Sequence, residues 1–268
     1  MVYTPYDWMQ TLHQKADYVE DRLRSGSPVV GLSCREGVLL LTIRGSQRKI
    51  YEIYDRLAFS ALGQQVDIEA LRTLAVDFAH VEGYQRSPDD VSIQRVVGFA
   101  ISPVVRRTFS EPFRTPLVVR ALFAQLGDVV SDDVFYVLNY DGEFTLNERI
   151  AVIAGTTYAE KQMHKYLEGE IGDKPPTLKE AVPVALNAWA IGRFEAEQGG
   201  EGEDASDESE QSYAMDNNWR DVLKRELKGG VVEVALLDRR LTRERKFRLL
   251  TDKELRQLMP AKRSGREA

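Results

Sequence analysis

Apolar residues recur at every third or fourth position near the N-terminus, which predicts an amphipathic helix over residues 5–24. Thr4 can cap this helix, Pro5 suits its first turn and Asp7 lies where a capping box needs an acceptor. Ser25 and Gly26 end the pattern. The apolar stripe consists of Tyr6, Met9, Ala16, Val19 and Leu23. We expect this stripe to pack, either on its own domain or on a neighbouring copy.

Beyond the helix, short apolar runs bounded by turn residues predict strands, and these alternate with longer helical patterns. The strands are expected over 28–33, 38–43, 50–54, 57–62, 117–125, 134–138, 149–153, 231–237 and 246–250, with Asp141-Gly142 as a hairpin turn. The helices are expected over 67–82, 92–109, 157–168, 177–194, 219–227 and 252–258. The spacing lacks the βαβ rhythm of a parallel sheet, so the pattern favours a layered α+β domain.

The composition of the chain excludes several classes of protein. The 268 residues are 43% hydrophobic and 29% charged, as in ordinary globular proteins, and no internal repeat is present. No apolar run approaches the length of a membrane span, no signal peptide precedes the first helix, and Cys34 is the single cysteine. We therefore expect a cytoplasmic protein without disulfides. The net charge of −6 argues against a nucleic-acid partner, which would need a basic surface.

The negative charge is concentrated in one segment. Residues 195–210 (EAEQGGEGEDASDESE) contain eight acidic residues and no lysine or arginine, which is more than the whole net charge. This segment is either a solvated loop or a surface that steers basic partners. We divide the chain into an N-terminal segment (1–24), one domain (25–258) with an acidic insertion (195–230), and a flexible tail (259–268).

The motifs that commonly carry catalysis are missing. The sequence contains no phosphate-binding or dinucleotide-binding glycine loop, no zinc motif and no nucleophile elbow. His13, His80 and His164 are far apart, and each lies in a predicted helix. We expect no cofactor and no bound metal.

Several stretches, in their order along the chain, resemble a known family. GSPVVGLSCREGVLLLTI (26–43) and RKIYEIYDRLAFSALG (48–63) resemble the opening strands of proteasome-type N-terminal-nucleophile (Ntn) hydrolase folds. Residues 54–91, NYDGEFTLNERIAVIAGTT (139–157) and VEVALLDRRLTRERKFR (232–248) extend the similarity to proteasome α-subunits of the bacterial, actinobacterial-like type.

The resemblance implies a four-layer αββα sandwich preceded by an α-type helical extension. It also implies a non-catalytic subunit whose homo-heptameric outer ring templates and caps rings of proteolytic β-subunits. Such a ring admits unfolded protein substrates and docks a ring-shaped ATPase or another activator. The converging N-termini would form a gate, here Val2, Tyr3, Thr4, Pro5 and Tyr6. The Tyr-Asp-Arg gate motif of archaeal and eukaryotic α-subunits is replaced by Tyr6-Asp7-Trp8.

The family leaves open an enzymatic alternative at Ser27. In catalytic β-subunits, cleavage after a glycine frees a nucleophilic N-terminal residue that works with a lysine and an aspartate. Gly26, Ser27 and Lys49 match the glycine, the nucleophile and the lysine, but Ile43 stands where the aspartate belongs. The resemblance thus favours a non-catalytic subunit, with a self-processing Ntn hydrolase and a free-standing proteasome-like scaffold as alternatives.

The same lysine has a different role in α-subunits. There it lines a pocket that receives the C-terminal carboxylate of an activator tail, which is a charge-assisted contact. By position, Gly26, Gly63 and Gln64 would line this pocket beside Lys49, and the two glycines would allow the tail backbone to approach closely. Without the family, Lys49 would be interpreted as a solvated lysine at the end of a strand.

Overall fold

The computed structural model describes residues 5–172, 174–198 and 218–259, and these form two antiparallel sheets between layers of helices. The helices are α1 Pro5–Arg24, α2 Gln65–Gln85, α3 Ile93–Arg95, a π segment Val96–Ile101, α4 Ser102–Ser110, α5 Thr157–Glu170, α6 Leu178–Glu197, α7 Asn218–Gly229 and α8 Asp252–Leu258. The strands are β1 Val29–Cys34, β2 Gly37–Arg44, β3 Ile50–Tyr54, β4 Leu57–Gly63, β5 Val119–Gln125, β6 Val134–Leu138, β7 Phe144–Glu148, β8 Ile150–Ile153, β9 Val231–Asp238 and β10 Phe247–Leu249. The predicted α+β sandwich is confirmed.

Each sheet has five strands. One has the order β10-β9-β2-β1-β8, and the other has the order β3-β4-β5-β6-β7. Both predicted N-terminal hairpins form, with Val29 opposite Thr42 in the first and Ile50 opposite Ser60 in the second. The first turn requires Gly37, whose φ is 151° and whose added Cβ would lie 1.9 Å from the Leu237 carbonyl oxygen.

Strand β7 is absent from the sequence prediction. It follows the turn that Asp141-Gly142 correctly indicated, pairs with β6 and forms an edge of its sheet. Phe144 and Leu146 alternate with Thr145 and Asn147, which is the period of a strand, but the run is only a few residues long and its side chains are mostly exposed. The predicted helix over 92–109 is also interrupted, because its middle six residues form the π segment.

The apolar side chains form three layers of core. One lies between the first sheet and helices α5 and α6, where Trp189 is almost fully buried. A second lies between the other sheet and helices α2 to α4, and a third lies between the two sheets. Val19 and Leu23 of α1 are buried in this third layer, whereas Met9 is 54% exposed, so only part of the predicted stripe packs on its own domain.

Helix α1 is fixed across one end of the sandwich by polar contacts. The buried Lys15 ammonium donates hydrogen bonds to the carbonyl oxygens of Phe109 at 3.0 Å and Glu111 at 2.6 Å, where α4 ends. Desolvation lowers the pKa of Lys15, and the Glu111 carboxylate partly offsets that effect. A cation at a helix C-terminus also interacts favourably with the helix dipole. The Tyr140 hydroxyl donates to Glu20 at 2.5 Å, which fixes the helix at a second point.

Helix α1 begins at Pro5, as predicted, so Pro5 and Tyr6 of the expected gate belong to the first turn of this helix. Val2, Tyr3 and Thr4 lie outside the described residues. Residues 195–197, which we placed at the start of the acidic insertion, belong to the end of α6. The C-terminal part of the insertion contains α7, which packs beside α6.

Candidate functional site

The hydroxyl of Ser27 is held by several neighbours. It donates to the Ile43 carbonyl oxygen at 2.6 Å and accepts from the Trp189 indole Nε1–H at 3.2 Å. The Thr42 hydroxyl lies 3.3 Å away. The backbone of Ser27 continues through Gly26, whose N–H donates to the Leu23 carbonyl at the end of α1. Among the described residues, no basic side chain lies against the Ser27 hydroxyl oxygen, whereas an Ntn nucleophile needs a base there.

Lys49 lies next to Ser27 but contacts its backbone rather than its hydroxyl. The ammonium donates to the Ser27 carbonyl oxygen at 2.7 Å, and within the described residues it forms no salt bridge. Burial lowers the pKa of Lys49 to about 7, the Glu233 carboxylate acts in the opposite direction, and Arg193 lowers it further. The site thus holds a cation that is poorly compensated and would gain from a carboxylate.

Three residues that sequence reasoning missed complete this environment. Arg193 of α6 donates to the Ser25 carbonyl at 2.8 Å, and the Glu233 carboxylate accepts from the Lys49 backbone N–H at 2.9 Å. Trp189, also on α6, lies over Ser27. Each is far from Lys49 in sequence, so only the tertiary structure brings it to this site.

The predicted companions of Lys49 lie at the same end of the sandwich. A Cβ on Gly26 would lie 3.0 Å from Leu62 Cδ1, so the backbone before Ser27 packs directly on the end of β4. Gly63 follows Leu62 with a φ of 132°, and a Cβ there would lie 2.0 Å from the Val118 carbonyl oxygen. Gln64 donates its backbone N–H to that same carbonyl. The structure therefore places these three residues near Lys49.

A small cavity opens beside the Ser25 and Ser27 backbone. It measures about 250 Å³, and Arg44, Arg193, Arg225 and Glu226 contribute its charged side chains. The arginines have acidic neighbours, since Arg44 lies 3.4 Å from Glu233 and Arg225 lies 3.0 Å from Glu226. In the described part of the chain, no group of three or more metal-binding side chains converges here or elsewhere. The histidines stay apart, with His80 against Val76 and His164 beside Glu168.

Comparison with known proteins identifies the class. The sequence model of the proteasome subunit family matches residues 23–202. Proteins named proteasome subunit alpha align with the chain at 28% identity in a Nocardioides species (93% of this chain, 86% of the relative) and 32% in Frankia casuarinae (68% and 75%). A third, from Jonesia denitrificans, is 33% identical over 54% of this chain and 62% of the relative.

The chain therefore belongs to the proteasome subunit family. Its relatives place it within the bacterial α-type branch of that family, as the resemblance predicted. None of the described helices is long and apolar enough to cross a membrane.

Substitution of Ser27 tests directly whether the chain is a self-processing hydrolase. We expect Ser27→Ala to leave the mass of the purified chain unchanged apart from the substitution, and to leave peptide hydrolysis by the assembled particle unaltered. The reason is that the Ser27 hydroxyl already donates to a backbone carbonyl. The unsubstituted chain is measured by intact mass spectrometry. A mass that corresponds to a chain beginning at Ser27 would show self-processing and would contradict this expectation.

Proposed function

We propose that this chain is the non-catalytic outer-ring subunit of a bacterial proteasome core. It forms homo-heptameric rings, templates the β-ring, restricts substrate entry and docks a ring-shaped ATPase or another activator. Catalysis then belongs to the β-subunits, and the substrates are unfolded cytoplasmic proteins. The names of the α-type relatives favour a subunit without its own catalytic role.

The main support for the proposal is the environment of Lys49. At the position of the catalytic lysine of β-subunits, Lys49 is half-buried and donates to a carbonyl, while the adjacent serine hydroxyl is occupied elsewhere. Lys49 therefore has no catalytic partner, but its charge is poorly compensated. Such a lysine is well placed to bind an incoming carboxylate. The C-terminus of an activator tail supplies such a group.

Exposed apolar side chains on the surface are also expected of a subunit whose faces are covered by neighbours in an assembly. Large apolar side chains stay exposed outside the second sheet, among them Tyr84 of α2 at 92%, Phe99 of the π segment at 68% and Phe113 of the turn after α4 at 88%. Exposed apolar groups gathered on one layer commonly mark protein interfaces. A head-to-tail ring that stacks on a second ring would bury several faces of each subunit.

Co-expression with a β-type partner tests the assembly. We expect native mass measurement to give a particle of stacked rings that hydrolyses peptides, with the α-type chain present in heptamers. A chain that stays monomeric beside an assembled β-ring would contradict the proposal and favour the free-standing scaffold.

The gating role gives a prediction of its own. Deleting residues 1–6 is expected to raise basal peptide hydrolysis by the assembled particle, because converging N-termini would no longer cover the axial pore. Helix α1 should remain in place, since Lys15, Val19 and Leu23 fix it from within the helix. Activator-free hydrolysis of a short fluorogenic peptide measures the effect. Unchanged hydrolysis in particles of normal mass would show that these residues do not form a gate.

A further inference from the structure

The backbone that receives the Lys49 ammonium is also held by helix α6. The Ser27 carbonyl accepts from Lys49 Nζ at 2.7 Å, and two residues earlier the Ser25 carbonyl accepts from Arg193 Nη1 at 2.8 Å. Both carbonyls belong to the short connection between the end of α1 and the start of β1. Arg193 therefore attaches to α6 the segment of backbone on which the Lys49 ammonium rests.

Two carboxylates from different helices hold the Arg193 guanidinium. Its Nε lies 3.1 Å from Glu197, one turn further along α6, and 3.7 Å from Glu226 of α7. Arg225 of α7 contacts the same two carboxylates, at 2.5 Å for Glu197 and 3.0 Å for Glu226. The four side chains form one network of alternating charges, which is expected to be stronger than an isolated surface pair.

Helix α7 is packed firmly enough to fix its half of this network. Val222 is buried, and Trp219 and Leu223 pack against the core between the first sheet and helices α5 and α6. Arg225 and Glu226 line the cavity of about 250 Å³ together with the α1–β1 connection. The position of α7 therefore determines where two of the four charges of the network lie.

The charged groups that face Lys49 come from four elements. Glu233 of β9 accepts from the Lys49 backbone N–H and raises the pKa of the Lys49 ammonium, whereas Arg193 of α6 lowers it. Arg44 of β2 and Arg48 of the following loop act on Glu233, because both favour its charged form. Within this set, Arg193 is the cation whose charge acts directly against that of Lys49.

Arg193 has two separable effects on Lys49. By holding the Ser25 carbonyl, it restrains the nearby Ser27 carbonyl and hence the direction in which the ammonium points. Its positive charge also opposes protonation of Lys49, to the extent that Glu197 and Glu226 leave that charge uncompensated. The first effect is the same at every pH, whereas the second changes the pH at which Lys49 loses its proton.

We propose that Arg193 is a positioning residue of the docking site, and that α7 controls it through Glu226. The inference rests on the proposed docking of an activator tail, and it adds to that site residues that the resemblance did not assign. A displacement of α7 would then alter docking although α7 itself does not contact Lys49.

The protonation of Lys49 can be measured without any activator. Particles of the full chain and its β-type partner are labelled briefly with acetic anhydride between pH 6 and 9, and mass spectrometry of the Lys49 peptide gives the midpoint of its deprotonation. We expect Arg193→Gln to raise this midpoint by about half a pH unit, because a neighbouring cation is removed. Glu226→Gln should lower the midpoint by a smaller amount, because Glu197 still compensates part of the Arg193 charge.

Binding of a synthetic tail peptide with a free C-terminal carboxylate measures the positioning effect. At pH 6, where Lys49 is charged in every variant, Arg193→Gln should weaken binding several-fold, because the Ser25 carbonyl is no longer held. Arg193→Lys keeps a charged donor and should recover most of the loss. Above pH 8 the higher midpoint should offset the loss in Arg193→Gln by up to about threefold, because more of the lysine stays protonated.

The exposed side of α7 provides matched controls. Lys224 and Asp221 are both about three-quarters exposed and pair with each other. Lys224→Gln removes the same charge as Arg193→Gln, and Asp221→Asn removes the same charge as Glu226→Gln. Neither control should change the labelling midpoint or the binding of the tail peptide.

The results separate this inference from the proposed function. Midpoints that stay unchanged, or that move in the same direction in Arg193→Gln and Glu226→Gln, would overturn the inference when the particles have normal mass. Equal losses of binding in the Lys224 and Asp221 controls would also overturn it. If Lys49→Ala particles bind the tail peptide normally, the proposed docking role is wrong, whereas the labelling midpoints still decide whether Arg193 and Glu226 act on Lys49.

Discussion

Replacing Lys49 with alanine is expected to abolish activator-stimulated proteolysis while leaving the rings assembled. The ammonium is held beside the Ser27 carbonyl, and within the described residues it forms no salt bridge. A charge-assisted contact with a tail carboxylate should contribute about 1.5–3 kcal/mol, so its loss would weaken each pocket by about 10- to 150-fold. Several pockets act together on one ring, and the loss multiplies across them.

The measurement compares hydrolysis of an unfolded protein with and without activator, alongside native mass of the particle. Lys253→Ala is the matched control, because that exposed lysine on α8 lies outside the site. Stimulation that survives in the Lys49→Ala particle would contradict the docking role.

The lowered pKa of Lys49 makes docking depend on pH. Because its pKa is about 7 in the folded chain, the ammonium is progressively lost above pH 7, and binding of a tail peptide should weaken about tenfold per pH unit there. Lys49→Arg should remove this dependence, since arginine stays charged. Binding of a synthetic tail peptide between pH 6 and 9 measures both variants. A profile that is equally steep for the arginine variant would assign the dependence to another group.

The lowered pKa of Lys49 also determines how the stability of the folded chain depends on pH. The folded chain binds the Lys49 proton less tightly than the unfolded chain, whose value is near 10.5, so the charged lysine costs stability at and below pH 7. That cost diminishes as the pH rises from about 7 toward 10.5. Removing Lys49 should therefore not unfold the protein, and a loss of docking can be attributed to the pocket.

Breaking the Arg120–Glu160 pair is expected to produce the largest loss of stability among these variants. Both side chains are nearly buried, at 10% and 14% exposure, and they meet through two parallel contacts. Burial raises the pKa of Glu160, and Arg120 is the main opposing influence. Arg120→Met leaves a buried carboxylate without its cation, so we expect a loss of about 3–5 kcal/mol in the free energy of unfolding. Urea unfolding of the purified chain measures it.

A second substitution distinguishes the uncompensated charge from a simple packing defect. Glu160 also accepts the Ala154 backbone N–H, and a glutamine can keep that bond while removing the charge. Arg120→Met/Glu160→Gln should thus recover most of the stability lost in Arg120→Met. The exposed pair of Arg56 and Asp128 serves as the control, where Arg56→Met should cost less than about 1 kcal/mol. If the double variant is no more stable than Arg120→Met, the charge is not the cause.

The sequence predicted most of the fold because its apolar periodicity is local. Helix α1 and strand β3 match their predicted bounds, and nearly every other element agrees within a few residues. Strand β7 was missed although Phe144 and Leu146 alternate with Thr145 and Asn147, because this alternating run is very short. The π segment was missed for another reason, because its hydrogen-bond pattern differs from that of an α-helix while its sequence does not.

The candidate site was only partly accessible from the sequence. Lys49, Gly26, Gly63 and Gln64 were assigned by resemblance to the family, and they stay predictions as docking residues. Arg193, Trp189 and Glu233 were not found, because they reach the site from α6 and β9 across long separations in sequence.

The sequence by itself determined the alternation of strands and helices, the α-type extension, and the apolar residue at the position where catalysis would need an aspartate. These properties depend on local periodicity and on single residues. Only the tertiary structure decided that the Ser27 hydroxyl is engaged, that Lys49 is desolvated, and that Arg193 of α6 reaches the backbone beside them. Burial and hydrogen bonding arise between residues distant in the chain, so no local pattern records them.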